Sequence, residues 1–183
     1  MGFSEDLKNK TERIEQKIFA YMPKESSFQK TVIDAMQYTM SAGGKRIRPM
    51  LMNETYHLLG GKDKIIEPFM AAIEMIHTYS LIHDDLPALD NDDYRRGRKT
   101  AHVVYGEAMA ILAGDSLLNY AYETAAKAYT MVEKAEMDDP AAIQREVQVR
   151  RAVDQAMTIL AAKPGIYGMI GGQVADVELT GTR

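Results

Sequence analysis

The chain has 183 residues, 46% of them hydrophobic and 26% charged, with a formal net charge of −4. That length suffices for one sizeable core, and the acidic balance opposes the basic surface that a dedicated nucleic-acid binder carries. The absence of cysteine excludes a disulfide scaffold and a thiolate metal site. No apolar run reaches the roughly 18 residues of a membrane span. The opening MGFSEDLKNKTERIEQ lacks the apolar middle of a signal peptide, so the expected location is cytoplasmic.

Apolar residues recur mostly at helical spacing, which predicts helices over about 3–21, 28–42, 48–59, 65–90, 101–132, 140–161 and 165–179. Gly43-Gly44 and Gly60-Gly61 close the second and third, because glycine accepts the left-handed cap. Pro49 suits a first helical turn, where a missing N–H costs nothing. The polar, basic stretch from Asn91 to Thr100 reads as a loop. Asp138-Asp139-Pro140 reads as a turn with an N-cap. The predicted class is all-α, a bundle of long helices forming a single domain over 1–183. The segments Phe69 to Leu86 and Ala108 to Ala126 are apolar nearly all round, as central or interface helices are.

Three features along this frame carry chemistry. Gly43-Gly44-Lys45-Arg46-Ile47-Arg48-Pro49 sets three cations before a helix start whose N–H groups favour an anion, without the spacing of a Walker motif. His77 precedes Asp84 by two helical turns, about 20° off the same face. Leu81-Ile82-His83-Asp84-Asp85-Leu86-Pro87-Ala88-Leu89-Asp90 then ends an apolar helix in three carboxylates, oxygen ligands of the kind magnesium shares with substrate phosphates. Asp84 and Asp90 would lie about 600° apart on a straight helix. Pro87 removes a backbone donor and lets Asp90 turn back toward Asp84, with Asp85 a shared or outer ligand. Arg95 and Arg96 follow at once, and guanidinium forks suit phosphate oxygens. Each of these alone also fits a solvated charged turn or a core histidine.

Taken in order, the Gly-Gly-Lys-Arg-Ile-Arg-Pro segment, Glu74 to Asp90, Arg95-Arg96-Gly97, Ala113-Gly114-Asp115 and Gly171-Gly172-Gln173-Val174-Ala175-Asp176 resemble the trans-isoprenyl (polyprenyl) diphosphate synthases, of the bacterial farnesyl and geranylgeranyl type. The resemblance implies magnesium-dependent head-to-tail condensation of isopentenyl diphosphate with an allylic diphosphate, in an isoprenoid-synthase-like bundle. It implies that Asp84 and Asp90, and less directly Asp85, bind Mg2+. Arg95, with Gln173 and Asp176, would serve the allylic diphosphate. Lys45, Arg48, His77 and Arg96 would hold isopentenyl diphosphate. Tyr79 and Ser80, one turn before Asp84, would set product length. An aromatic at Tyr79 together with the inserted Leu86-Pro87 pair goes with a farnesyl product in that family. A homodimer is the usual assembly.

Members of that family are longer, and their second aspartate-rich motif has no counterpart in this sequence. The expectation is therefore an incomplete bundle, about the first half to two-thirds, with little or no condensation activity by itself. Geranylgeranyl diphosphate synthesis and a non-catalytic helical module of the same family are the alternatives. A terpene cyclase takes no second diphosphate, so Lys45 and Arg48 speak against it.

Overall fold

The computed structural model describes residues 2–24 and 27–180. Among them are eight α-helices, a hairpin of two-residue strands and one 3-10 helix, in agreement with the expected all-α class. The chain divides into two compact units, 1–124 and 125–183.

The first unit holds α1 (Phe3–Phe19), α2 (Lys30–Met40), α3 (Ile47–Leu58), α4 (Glu67–Asp84), β1 (Tyr94–Arg95), β2 (Arg98–Lys99), α5 (Ala101–Tyr105) and most of α6 (Glu107–Ala126). Its centre is α4, against which α1, α2 and α3 pack. Eleven of the eighteen residues of α4 are buried, Met70 and Met75 completely, as its all-round apolar sequence predicts. α1 contributes Ile14 and Ile18 from one face, four residues apart, and α2 contributes Ala35, Met36 and Met40. α3 ends in a Schellman motif: Gly60 N–H donates to the His57 carbonyl and Gly61 N–H to that of Tyr56.

The second unit contains a 3-10 helix (Lys127–Met131), α7 (Pro140–Ala162) and α8 (Met169–Thr180). Asp139 caps α7 by accepting from the N–H groups of Ala141 and Ala142, with Pro140 in the first turn.

Several boundaries differ from expectation, among them that of the last helix, expected over 165–179 and found at Met169–Thr180. The helix predicted over 65–90 stops at Asp84: Pro87 has no N–H for the His83 carbonyl and its ring crowds that oxygen, which accepts from Leu86 N–H instead. The helix predicted over 101–132 breaks at Gly106, whose φ is 84°. The loop predicted over Asn91 to Thr100 contains the hairpin Tyr94–Lys99, turned by Arg96 and Gly97 with φ of 54° and 77°. Positive φ at both central residues suits the right-handed twist of the strands. Among the described residues, no helix is long and apolar enough to cross a membrane.

Candidate functional site

The glycine pair after α2 turns the chain sharply, with φ of 78° at Gly43 and 143° at Gly44. The next two cations then part company. Arg46, itself left-handed at φ 47°, turns inward and is 3% exposed. Its guanidinium reaches Glu15 at 2.9 Å and Glu74 at 2.7 Å and donates to the Met40 carbonyl at 2.6 Å. A buried charge persists only when paired in this way. Lys45 and Arg48 remain exposed, and among the described residues neither forms an ion pair. The sequence groups all three cations; the signal that separates them is Glu74, a carboxylate within an apolar helix that is buried and needs a charged partner.

A cavity of about 440 Å³ lies beside this turn, lined by Lys45, Arg48, His77 and Arg96, by the Arg46–Glu74 pair, and by Gly44 and Ile47. Arg96 donates through Nη1 to the Gly43 carbonyl and lies across Gly44, where an added Cβ would stand 2.5 Å from that nitrogen. Burial pushes the His77 imidazole below its ordinary pKa, and Arg48 pushes further in the same direction, with Glu74 opposing. Burial, then the Arg46 charge, likewise lowers Arg96. An anion in this cavity would relieve the mutual repulsion of these groups. The structure thus brings together the four residues expected around one diphosphate.

At the other end of α4 the chain folds back on itself. Asp90 N–H donates to the Asp84 carbonyl at 2.8 Å, Asn91 to Leu86 at 3.1 Å and Asp92 to Asp85 at 3.2 Å. Asn91 takes the left-handed conformation this needs, at φ 54°. The return brings the Asp90 charge to bear on Asp84, whose carboxyl is raised first by burial and then by Asp90. These acids also sit at the negative pole of α4, where cations are favoured. Asp85 points elsewhere: its carboxylate, 5% exposed, accepts from Arg95 Nε at 2.6 Å. Burial raises its pKa although Arg95 works to lower it. Among the described residues no three acidic or histidine side chains converge into a complete metal cage. Two carboxylates near enough that the charge of one opposes ionisation of the other, at a helix C-terminus, do fit a hard divalent cation that takes its remaining ligands from water and phosphate.

Tyr79 is 7% exposed and meets His83 edge to face at 5.7 Å. Ser80 donates to the His77 carbonyl at 2.9 Å. His83 packs on Gly114 of α6, leaving no room there for a Cβ, and its Nε2 lies 3.3 Å from the Ile111 carbonyl. Gln173 and Asp176 lie in α8 of the second unit, one turn apart and so on one side of that helix.

Residues 29–178 match the signature of the polyprenyl synthetases. The chain belongs to the polyprenyl synthetase family. It is 50% identical over 144 residues to the farnesyl diphosphate synthase of Geobacillus stearothermophilus, an alignment covering 79% of this chain and 43% of that protein. It is 44% identical over 155 residues to the farnesyl diphosphate synthase of Escherichia coli, covering 84% and 47%. The large subunit 1 of the heterodimeric geranylgeranyl pyrophosphate synthase of Arabidopsis thaliana is 45% identical over 148 residues, covering 81% and 36%. The chain thus spans less than half the length of these relatives. Among solved structures, the geranyltransferase of Legionella pneumophila superposes with a TM-score of 0.77 at 32% identity, over 94% of this chain and 55% of that one. This polyprenyl synthetase chain therefore shares the all-α prenyltransferase fold.

Proposed function

We propose that the protein carrying this chain joins isopentenyl diphosphate head to tail with an allylic diphosphate, releasing diphosphate. The observation that carries this reading is the cavity holding Lys45, Arg48, His77 and Arg96 around one anion-sized space, a short distance along α4 from the Asp84–Asp90 turn. A second diphosphate site beside a carboxylate pair is what a two-substrate condensation requires and a cyclase does not.

In this reading Lys45, Arg48, His77 and Arg96 bind and orient isopentenyl diphosphate. Asp84 and Asp90 would hold Mg2+ with the allylic diphosphate, and Asp85 would serve through Arg95 rather than as a direct ligand. The chemistry magnesium supplies is neutralisation of the leaving diphosphate as the allylic C–O bond breaks. Arg95 stabilises the same leaving group. The homoallylic double bond then attacks the cation, and the released diphosphate accepts the proton lost. The apolar body of α4, from Met75 to Ile82, keeps water from the cation. Tyr79 and Ser80 bound the growing tail, which favours a fifteen-carbon product over the twenty-carbon alternative. Both units belong to one synthase domain, and the active species is a homodimer.

The test is calorimetric binding of isopentenyl diphosphate to this chain and to Lys45→Ala. Saturable binding that the substitution weakens supports condensation; equal binding, or none, overturns it. A turnover assay of the chain alone, with dimethylallyl and isopentenyl diphosphates, is expected to give little product.

A further inference from the structure

Tyr38, on α2, engages both residues of β2. Its hydroxyl donates to the Lys99 carbonyl at 2.7 Å. Its ring lies 4.3 Å beneath the Arg98 guanidinium. The hairpin makes two further contacts with the chain just past α2. Arg98 Nη1 donates to the Ser41 carbonyl at 3.1 Å, and Arg96 Nη1 donates to the Gly43 carbonyl. Tyr105 of α5 also meets the Tyr38 ring edge to face at 5.6 Å. A hairpin of two-residue strands has too few ladder bonds to hold its own geometry, and its turn forces Arg96 into the left-handed region at φ 54°. Something outside the hairpin must fix where Arg96 points. Arg95 ties β1 to Asp85 at 2.6 Å; the contacts of β2 and of Arg96 itself gather on Tyr38 and on the chain just past α2.

We propose that Tyr38 is a positioning residue for the diphosphate cavity, clamping β2 through Arg98 and Lys99 so that Arg96 stays laid over Gly44 beside Lys45 and Arg48. This rests on reading that cavity as a diphosphate site. The clamp joins the two segments that supply the cavity's cations, the hairpin and the glycine turn, at one aromatic ring. Tyr38 acts on geometry alone: preorganised donors bind an anion without ordering a flexible arginine at the moment of binding. The stacked Arg98 is used up by this task and is not itself a ligand.

The experiment compares wild type, Tyr38→Leu, Tyr38→Phe and Arg98→Gln for isopentenyl diphosphate affinity, thermal midpoint and the Arg96 Nε–Hε resonance. Tyr38→Leu is expected to weaken binding about tenfold and to shift the Arg96 resonance. Tyr38→Phe keeps the stacking and loses the Lys99 bond, so it should fall between. Wild-type affinity and an unmoved Arg96 resonance in Tyr38→Leu would overturn the proposal, as would a lowered midpoint with neither of those changes. If Tyr38→Leu does not fold, Arg98→Gln carries the same test: weakened binding supports the clamp, and unchanged binding overturns it. Failure of the wild type to bind isopentenyl diphosphate at all is a different result, and it overturns the diphosphate reading together with the clamp.

Discussion

Arg46 and Glu74 meet at 2.7 Å with 2% and 4% of their side chains exposed, and Glu15 completes the pairing at 2.9 Å with a carboxylate that is one-third exposed. The pair therefore lies in the low-dielectric interior between α1, α3 and α4, one residue away from exposed Lys45. Removing one partner strands a charge there. Glu74→Leu is expected to destabilise the chain by about 3 kcal/mol, read from the midpoint of urea unfolding. Glu74→Leu combined with Arg46→Met should recover much of that loss, because an apolar pair replaces an ion pair at little net cost.

Lys45→Ala and Arg48→Ala should behave oppositely. Both side chains are exposed and unpaired among the described residues, so unfolding midpoints should move by no more than about 0.5 kcal/mol. Isopentenyl diphosphate affinity should fall about tenfold for each, the worth of one hydrogen bond to a charged group. Calorimetry of the two variants at constant salt checks this.

The pH dependence follows from His77, whose pKa is lowered by burial and by Arg48. Between that lowered value and the ordinary histidine pKa near ~6.5, the unfolded chain binds a proton that the folded chain does not. This group's contribution to stability therefore rises with pH through that window and is lost below it. A bound diphosphate favours the protonated ring, so binding should take up a proton and tighten as pH falls through the same window. Calorimetry in two buffers of different ionisation enthalpy measures the uptake, and His77→Ala should abolish it.

Gly114→Ala places a methyl group in the space of the His83 ring. Overpacking of this kind costs about 1–3 kcal/mol. The double variant His83→Ala with Gly114→Ala should regain most of the lost stability, and thermal unfolding of the three variants is the check.

The long helices were legible because their apolar period is unbroken, as in Met70, Ile76 and Tyr79 of α4. The doubling back of Asp90 on Asp84 was legible from Pro87 alone. The stop at Asp84 was not, since a proline also permits a bend with the helix continuing, and the choice depends on carbonyls that returning N–H groups from Asp90 to Asp92 satisfy. The hairpin escaped notice because Arg96-Gly97 is an unusual turn pair; tertiary bonds from Arg96 to Gly43, from Arg98 to Ser41 and Tyr38, and from Arg95 to Asp85 hold the left-handed arginine in place. The bond between Asp85 and Arg95 was hidden for the same reason: nothing in a row of acids says which one will turn away from its neighbours.

The divided fate of Lys45 and Arg46 limits how this segment could be redesigned. Adjacent, similar in chemistry and read in one breath, they tolerate opposite kinds of change. A library can vary Lys45 and Arg48 widely, but a member altered at Arg46 alone would strand the Glu74 carboxylate in the interior, so Arg46 and Glu74 have to be varied together.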